Sequence, residues 1–387
     1  SFPTRRSSDL ADIKAFTAVS SKNNVTITGI LLVSGQRYFV TVVGCNGVGM
    51  CVNGSSNGAI VDFVPPHSGR VITGLSGPPT LYQWENKAVW ARWNWCLADE
   101  KRLQPFLNLS QCTNDSFYDI HTGIRMFGIS VMSQKTDQLL TPFKKAGRQR
   151  FGNRIVNLQD GIYSVAIEAS DQAGLSVRGL SNSFVVDSSP PAVKLLQHGH
   201  YGETIAYTNA SSISFRSYFM VEDNVSKIKA YKIGVGSYPG ADDIIKFQPH
   251  SLTLLKTSIQ ANWTSPMQTS LKNNQRYFIT LLAINSAGLF TIKSSASLLA
   301  DFDPPVNGVI FDGWGPQDAR FQSVTSLFRG HWYGFTDFSG IEKVFMGLGN
   351  KSVSSECDFR KEEIVPLNTN FHMLSGLSLI SGQRYYA

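Results

Sequence analysis

One tyrosine-anchored pattern recurs along the chain and limits what it can fold into. The segments are YFVTVVGCNGVGM from Tyr38, YSVAIEASDQAGL from Tyr163 and YFITLLAINSAGL from Tyr277, and the anchor returns in SGQRYYA at Tyr385. Successive anchors are separated by 125, 114 and 108 residues. A repeat of that length predicts small domains in tandem rather than one large domain.

Four further positions keep their distance from the anchor. They are an Asn or Asp at eight residues, a Gly at eleven, an Asp at twenty-four and a Pro pair at twenty-seven. In chain order the sets are Asn46, Gly49, Asp62 and 65–66; Asp171, Gly174, Asp187 and 190–191; Asn285, Gly288, Asp301 and 304–305.

These residue types predict a strand, a hairpin turn and a return strand. Alternation through Tyr277, Ile279 and Leu281 turns one strand face toward a core. The Asn-x-x-Gly segment supplies the positive φ that the hairpin needs. The Pro pair ends the return strand, because proline has no N–H for a sheet ladder, and so it marks a domain border.

A second register lies upstream of the anchors. VWARW at 89–93, FRSYF at 215–219 and FRGHW at 328–332 each place a large, a small and a large residue at alternate positions. This alternation predicts a sandwich strand that packs around a facing side chain. A hydrophobic fraction of 42% with only 16% charged residues, in short alternating runs rather than helical ones, favours an all-β chain.

The repeat resembles the fibronectin type III family. Leu32, Leu271 and Leu379 each stand six residues before a tyrosine, which is similar to the family pattern at the start of its sixth strand. The resemblance implies that Tyr38, Tyr163, Tyr277 and Tyr385 form tyrosine corners, in which the hydroxyl bonds to upstream backbone. The second copy departs from the pattern, since Leu158 is only five residues before Tyr163. An immunoglobulin domain is disfavoured, because no Cys lies two residues after an anchor.

The fold class predicted is therefore all-β, with tandem fibronectin type III-like sandwiches. Residues 65–189 and 190–303 are expected to be complete repeats, 11–64 the C-terminal part of one, and 304–387 a repeat cut before its last strands. Residues 1–10, SFPTRRSSDL, resemble a translated sequencing adapter, with a polar leader as the alternative.

Cysteines and glycosylation sequons point to a secreted chain. In the repeat frame, Cys45 and Cys51 flank the first hairpin and Cys96 and Cys112 bracket an insertion, so two disulfides are expected and Cys357 is left over. Eight Asn-x-Ser/Thr sequons are N-glycosylation candidates: Asn24, Asn53, Asn108, Asn114, Asn209, Asn224, Asn262 and Asn350. We expect an extracellular or cell-surface location.

No catalytic constellation or cofactor motif is found, so the sequence predicts a protein that is not an enzyme, with no cofactor and no metal site. His198 and His200 are read as a packed or exposed pair rather than metal ligands. The acid pairs 222–223 and 242–243 are read as turn residues, with calcium at a domain junction as the alternative. Four tryptophans lie close together in sequence, at positions 84, 90, 93 and 95. Trp93 is expected in the core, and a sugar-stacking surface is the alternative for this group.

The net charge of +7 is spread along the chain and gives no reason to expect nucleic acid. One basic cluster is a solvated loop or a candidate polyanion contact: Lys144, Lys145, Arg148, Arg150 and Arg154. The predicted function is a structural, adhesion or receptor segment that spaces domains and binds extracellular proteins or glycans. The insertions 99–115 and 141–154 are the expected contact loops. The alternative is an accessory module of a larger secreted enzyme that binds glycans.

Overall fold

The computed structural model describes residues 13–19, 23–100, 110, 112–313, 315, 317–351 and 357–387. In this part of the chain the only helix is α1, Leu97–Glu100. All other regular elements are strands, so the prediction of an all-β fold is confirmed. The ten residues read as adapter sequence, as well as Asn108, lie outside the described residues.

The first predicted repeat contributes two antiparallel strand pairs. Its strands are β1 (Arg37–Tyr38), β2 (Thr41–Cys45), β3 (Cys51–Ser55) and β4 (Ala59–Ile60). β1 pairs with β4, and β2 pairs with β3 in antiparallel register. The side chains of β3 are exposed throughout.

The second predicted repeat is a two-sheet sandwich. Its strands are β5 (Val71–Thr73), β6 (Tyr82–Gln83), β7 (Ala88–Trp93), β8 (Ile124–Ser133), β9 (Gln138–Leu139), β10 (Lys144–Gly147), β11 (Phe151–Ile155), β12 (Gly161–Asp171), β13 (Ser176–Leu180) and β14 (Phe184–Val186). One sheet has the order β11-β7-β5, and the other has the order β10-β8-β12-β14-β6, with β13 on β12 and β9 on β8. β6 runs parallel to β14.

The core of the second repeat lies between these sheets. The large-small-large positions Val89, Ala91 and Trp93 on β7 are all buried, as the alternation predicts. They form one hydrophobic cluster with residues of the other sheet, among them Phe127 and Val165. Their burial removes apolar surface from water, which is the main stabilising contribution in a domain of this size.

The third predicted repeat has the same arrangement. Its strands are β15 (Ala192–His198), β16 (Tyr207–Thr208), β17 (Ser212–Ile213), β18 (Arg216–Glu222), β19 (Ile228–Gly236), β20 (Ile245–Lys256), β21 (Ser258–Thr264), β22 (Thr269–Ser270), β23 (Gln275–Asn285), β24 (Phe290–Ser294) and β25 (Leu298–Ala300). The sheets have the orders β15-β18-β21 and β16-β25-β23-β19-β20, with β24 on β23 and β17 paired with β22. β16 is parallel to β25, as β6 is to β14.

The fourth predicted repeat has fewer strands. They are β26 (Val309–Asp312), β27 (Leu327–Tyr333), β28 (Val344–Leu348), β29 (Arg360–Val365) and β30 (Phe371–Ser375). β26-β27-β30 form one sheet and β28-β29 another. Phe328 and Trp332 of β27 pack in one cluster with Met346 and Leu348 of β28.

The described chain divides into two compact units. The first is Ser1–Pro190 with two short segments of the third repeat, Asp223–Ile228 and Ile284–Leu289. The second is Pro191–Glu222, Lys229–Ala283 and Phe290–Ala387. The repeat boundaries themselves stay predictions.

The hairpin glycines have the conformation that their spacing predicts. The φ angles of Gly49, Gly174 and Gly288 are 82°, 92° and 91°. A side chain would be strained in this left-handed region, so glycine is required at the turn after each anchor strand.

Candidate functional site

Three carboxylates meet where the first repeat joins the second. Asp62 follows β4, Asp119 lies in the turn before β8, and Asp171 ends β12. Each offers an oxygen, and these oxygens all lie within 4.8 Å of one another. The Asp62 side chain has no solvent exposure, while Asp119 and Asp171 are 1% and 0% exposed. We call Asp62, Asp119 and Asp171 the carboxylate cluster.

Two of its members are held by their own turns. Asp119 Oδ1 accepts hydrogen bonds from the backbone N–H groups of His121, Thr122 and Gly123, at 3.1, 2.6 and 2.7 Å. Asp171 Oδ1 accepts from the Leu175 N–H at 2.9 Å, across the hairpin that Gly174 permits. Such side-chain bonds to local backbone are typical of Asp in turns.

Asp62 links the first repeat to the turn of the second. Its Oδ1 accepts from the Val64 N–H at 3.0 Å, and its Oδ2 accepts from the Thr122 hydroxyl at 2.8 Å. The His121 ring Nδ1 lies 3.2 Å from Oδ1 and 3.1 Å from the Ser34 hydroxyl.

Ionisation of all three carboxylates in the cluster is unfavourable. Burial raises the pKa of Asp171, and the charges of Asp119 and Asp62 raise it further, against the Leu175 N–H, which lowers it. Burial also acts to raise the pKa of Asp62, but bonds from Val64, Thr122 and His121 outweigh it and hold that pKa below its ordinary value.

The equivalent residues of the next repeat form a different group. Asp187, Asp223 and Asn285 occupy the places of Asp62, Asp119 and Asp171. The Asn285 amide Nδ2 lies 3.1 Å from Asp187 Oδ2, 3.1 Å from Asp223 Oδ2 and 3.0 Å from the Ser189 carbonyl oxygen. Its Oδ1 accepts from the Leu289 N–H, as Asp171 Oδ1 does from Leu175. We call Asp187, Asp223 and Asn285 the amide-centred group.

The aspartate at the end of a repeat contacts the turn of the following repeat in the second unit as well. Asp301 Oδ2 accepts from the Ser339 N–H at 3.0 Å, just as Asp187 Oδ2 accepts from the Ser226 N–H at 3.1 Å within the first unit. The aspartate at the end of each predicted repeat therefore binds the turn before β8, β19 or β28 of the following repeat.

Sequence reasoning missed the carboxylate cluster. In the repeat pattern, Asp62 and Asp171 are positions at a fixed distance from a tyrosine anchor, and Asp119 is not part of the pattern. The signal was present, because Asp171 replaces the Asn found at the same position in the other two copies. A carboxylate in place of an amide changes both the charge and the number of donors, which spacing alone does not reveal.

The acid pairs 222–223 and 242–243, which the sequence predicts to be turn residues, are mostly in turns. Asp243 accepts from the N–H and hydroxyl of Ser237, and Asp242 accepts from the Phe247 N–H. Glu222 lies 3.5 Å from the Lys194 Nζ. Asp223 alone among the four belongs to one of the groups described above.

His198 and His200 do not converge. His198 is 5% exposed, and its Nε2 lies 3.1 Å from the Ala296 carbonyl and 3.0 Å from the Ser295 hydroxyl. His200 is exposed. Burial lowers the pKa of His198 to about 4, because the charged imidazolium loses hydration there.

The four anchor tyrosines use their hydroxyls in two ways. The hydroxyls of Tyr38, Tyr277 and Tyr385 accept from backbone N–H groups five residues upstream, at 2.8, 2.7 and 3.0 Å. The Tyr163 hydroxyl instead donates to the Gln159 carbonyl at 2.9 Å. This difference falls in the copy whose leucine spacing is one residue short.

Both expected disulfides are present. Cys45 and Cys51 face each other across β2 and β3, and the second bond joins Cys96 to Cys112. Cys357 is a free cysteine. The sequon asparagines that the structure describes are all exposed: Asn24, Asn53, Asn114, Asn209, Asn224, Asn262 and Asn350.

Three residues of the basic cluster lie on strands, and the other two, Arg148 and Arg150, lie in the turn between them. These strands are β10 and β11, which pair with β8 and β7 in different sheets. The loop interpretation of 141–154 was therefore wrong, since the segment supplies strands to both sheets. Arg148 stacks over the Trp95 ring at 4.8 Å, and Arg154 donates to the Thr141 hydroxyl. The exposed lysines Lys144 and Lys145 remain as candidate polyanion contacts.

The tryptophans separate into two kinds. Trp93 and Trp95 are each 2% exposed and belong to the core. Trp84 and Trp90 are 57% and 42% exposed.

No protein-family model matches the chain, and no curated protein matches it in sequence. Among solved structures it is similar to the FN1–FN3 domains of chicken CNTN1, at 14% identity over 83% of this chain and 90% of that one, with a TM-score of 0.24. It is also similar to the fibronectin(III)-like modules of Clostridium thermocellum CbhA, at 10% identity, with 60% and 94% of the chains covered and a TM-score of 0.28.

A third similar structure is the Ca²⁺-stabilized adhesin of an Antarctic bacterium that binds ice, at 8% identity, with coverage of 90% and 79% and a TM-score of 0.29. Within the part of the chain that the structure covers, no helix has the length and apolar character needed to cross a bilayer.

Proposed function

We propose that this chain is a non-catalytic segment of an extracellular or cell-surface protein, in which fibronectin type III-like repeats space other domains and present surfaces for protein binding. The observation that carries the proposal is the recurring contact between repeats. Asp62, Asp187 and Asp301 each accept a hydrogen bond from the turn of the next repeat, the first from a threonine hydroxyl and the other two from serine backbone N–H groups. Such bonds hold successive repeats in a row, as a spacer between domains requires.

Disulfides and exposed sequons support the extracellular part of the proposal. Two disulfides are typical of an oxidising compartment. Exposed asparagines such as Asn209 and Asn262 are accessible to a glycosylating enzyme without unfolding of the strands around them.

A second candidate is an accessory module of a secreted enzyme that binds glycans. It is favoured by the exposed rings of Trp84 and Trp90 and by the exposed Lys144 and Lys145. Aromatic faces stack on sugars, and lysines attract sulfated ones.

Cell attachment to the full chain, secreted from animal cells and coated on a surface, distinguishes the two candidates. We expect attachment that is lost when the chain is reduced and alkylated, together with no retention on a glycan array or on heparin at physiological salt. Retention on glycans without attachment would favour the enzyme module. A secreted chain with neither activity would contradict the binding role.

A further inference from the structure

The third member of each group, Asn285 or Asp171, decides whether the two buried aspartates beside it receive hydrogen bonds or face a further negative charge. At the amide-centred group, the Nδ2 of Asn285 supplies N–H donors to two buried carboxylates, Asp187 and Asp223. The amide thereby does what a cation would do between them, without adding charge.

Asp171 reverses both properties at the carboxylate cluster. It has no donor when ionised, and it adds a third negative charge to Asp62 and Asp119. Buried like charges a few ångströms apart oppose one another. His121 contacts Asp62 and can offset part of one charge only.

An independent observation concerns the second oxygen of Asp171. Its Oδ1 is used by the Leu175 N–H, whereas its Oδ2 is buried and has no hydrogen-bond partner. The residue as a whole is 0% exposed. A buried carboxylate oxygen without a partner loses the hydration it would have in water, so a ligand at this position is strongly favoured.

The geometry fits a metal ion with oxygen ligands. Oxygens that surround Ca²⁺ at about 2.3–2.6 Å lie at most roughly 5 Å apart, and the three carboxylates each provide one within 4.8 Å of the others. Carboxylate and hydroxyl oxygens suit hard cations rather than copper or zinc, which favour imidazole or thiolate.

We propose that Asp62, Asp119 and Asp171 bind a hard divalent cation, calcium in the first instance, at the junction of the first and second repeats. The cation stands where the Asn285 amide stands in the next group and joins the end of one repeat to two turns of the following one. The Thr122 hydroxyl, 2.8 Å from Asp62 Oδ2 and 3.2 Å from Asp119 Oδ1, is placed as a further oxygen ligand or as a donor to the ligands. This inference goes beyond the proposed function and does not depend on it.

Calcium titration of the full chain tests the proposal through one substitution. Asp171→Asn copies the amide-centred group into the carboxylate cluster, and Asp137→Asn is the matched control, because Asp137 is exposed in the same repeat and asparagine tolerates its φ of 55°. By calorimetric titration with CaCl₂ after EDTA treatment, the parent and Asp137→Asn chains should bind one ion more than Asp171→Asn. At saturation, calcium should raise the melting temperature of the first unit by roughly 5–10 °C in the parent and not in Asp171→Asn.

A reciprocal substitution keeps the proposal falsifiable if Asp171→Asn does not fold. Asn285→Asp rebuilds the carboxylate cluster at the amide-centred group, so it should gain one calcium ion relative to the parent. MgCl₂ at the same concentration should compete weakly, since Mg²⁺ demands a regular octahedron of ligands. Equal calcium binding by the parent and Asp171→Asn, or no response of the parent to either ion, would overturn the proposal.

Discussion

The carboxylate cluster and the amide-centred group are built on the same scaffold and differ at one side chain. In both, one Asp ends a repeat and a second Asp holds the turn before β8 or β19. The last residue of the anchor strand, Asp171 or Asn285, accepts from the backbone N–H four residues further on. In one the free end of that last residue is an amide, and in the other it is a carboxylate. The repeated fold therefore fixes the positions of the polar groups. The residue type then decides whether the buried carboxylates are satisfied by an amide of the chain or need a bound cation.

The largest effect is expected from Asn285→Asp in the absence of calcium. The substitution removes the donor to Asp187 and Asp223 and adds a third buried carboxylate, so the free energy of unfolding should fall by about 3–5 kcal/mol. Urea unfolding in EDTA measures the loss. Asn274→Asp, at an exposed position of the same repeat whose φ of 59° aspartate tolerates, is the control and should change stability by less than about 0.5 kcal/mol. A cost below about 1 kcal/mol would mean that the two groups do not differ as described.

Acidification should destabilise the third repeat through His198. The folded state holds this imidazole neutral down to about pH 4, whereas the unfolded chain protonates it near pH 6.5, so the unfolded state binds more protons between these values. The free energy of unfolding is therefore highest above pH 6.5 and falls as the pH drops toward 4, by roughly 3 kcal/mol in all.

The same measurement separates this residue from the carboxylates. Unfolding curves of the parent and of His198→Gln at pH 7.5 and pH 4.5 give the contribution of His198 as the difference between their pH dependences. An identical pH dependence in the two chains would contradict it. The comparison of the two groups is accordingly cleanest above pH 6.5.

The smallest effect concerns the tyrosine corners of the same two repeats. Tyr277→Phe leaves the Lys272 N–H without its acceptor, whereas Tyr163→Phe removes a donor from the Gln159 carbonyl. An orphaned N–H costs more than a carbonyl that loses one partner, so we expect about 1–2 kcal/mol for Tyr277→Phe and about 0.5–1 kcal/mol for Tyr163→Phe. Urea unfolding of both variants measures the two costs, and a larger cost at Tyr163 would reverse this interpretation.

The periodic features of the chain could be predicted from the sequence. The sites formed by residues far apart in sequence could not. Strand faces follow from alternation: Tyr277, Ile279 and Leu281 are all buried as the period of two requires. The hairpins follow from Gly at a fixed distance, and the disulfides follow from cysteines placed on that frame. These features depend on residues close in sequence or on a pattern repeated within each domain.

The carboxylate cluster depends on three residues up to 109 positions apart, from Asp62 to Asp171. Their meeting depends on how one repeat ends against the turns of the next, which no local pattern encodes. The prediction of a loop for the basic segment 144–154 was wrong for a related reason. Its charges suggested a loop, but Lys144–Gly147 and Phe151–Ile155 each complete a sheet whose partner strand lies elsewhere in the sequence.

The parallel pairing of β6 with β14 and of β16 with β25 has a mechanical consequence. In each case a strand near the start of a repeat runs alongside its last strand, and the N–H of the junction aspartate closes the ladder: Asp187 donates to Gln83 and Asp301 donates to Thr208. Tension applied between the two strands of such a pair would pull them past each other lengthwise. Bonds loaded in shear must break together rather than one after another, so β14 and β25 are placed where they resist stretching.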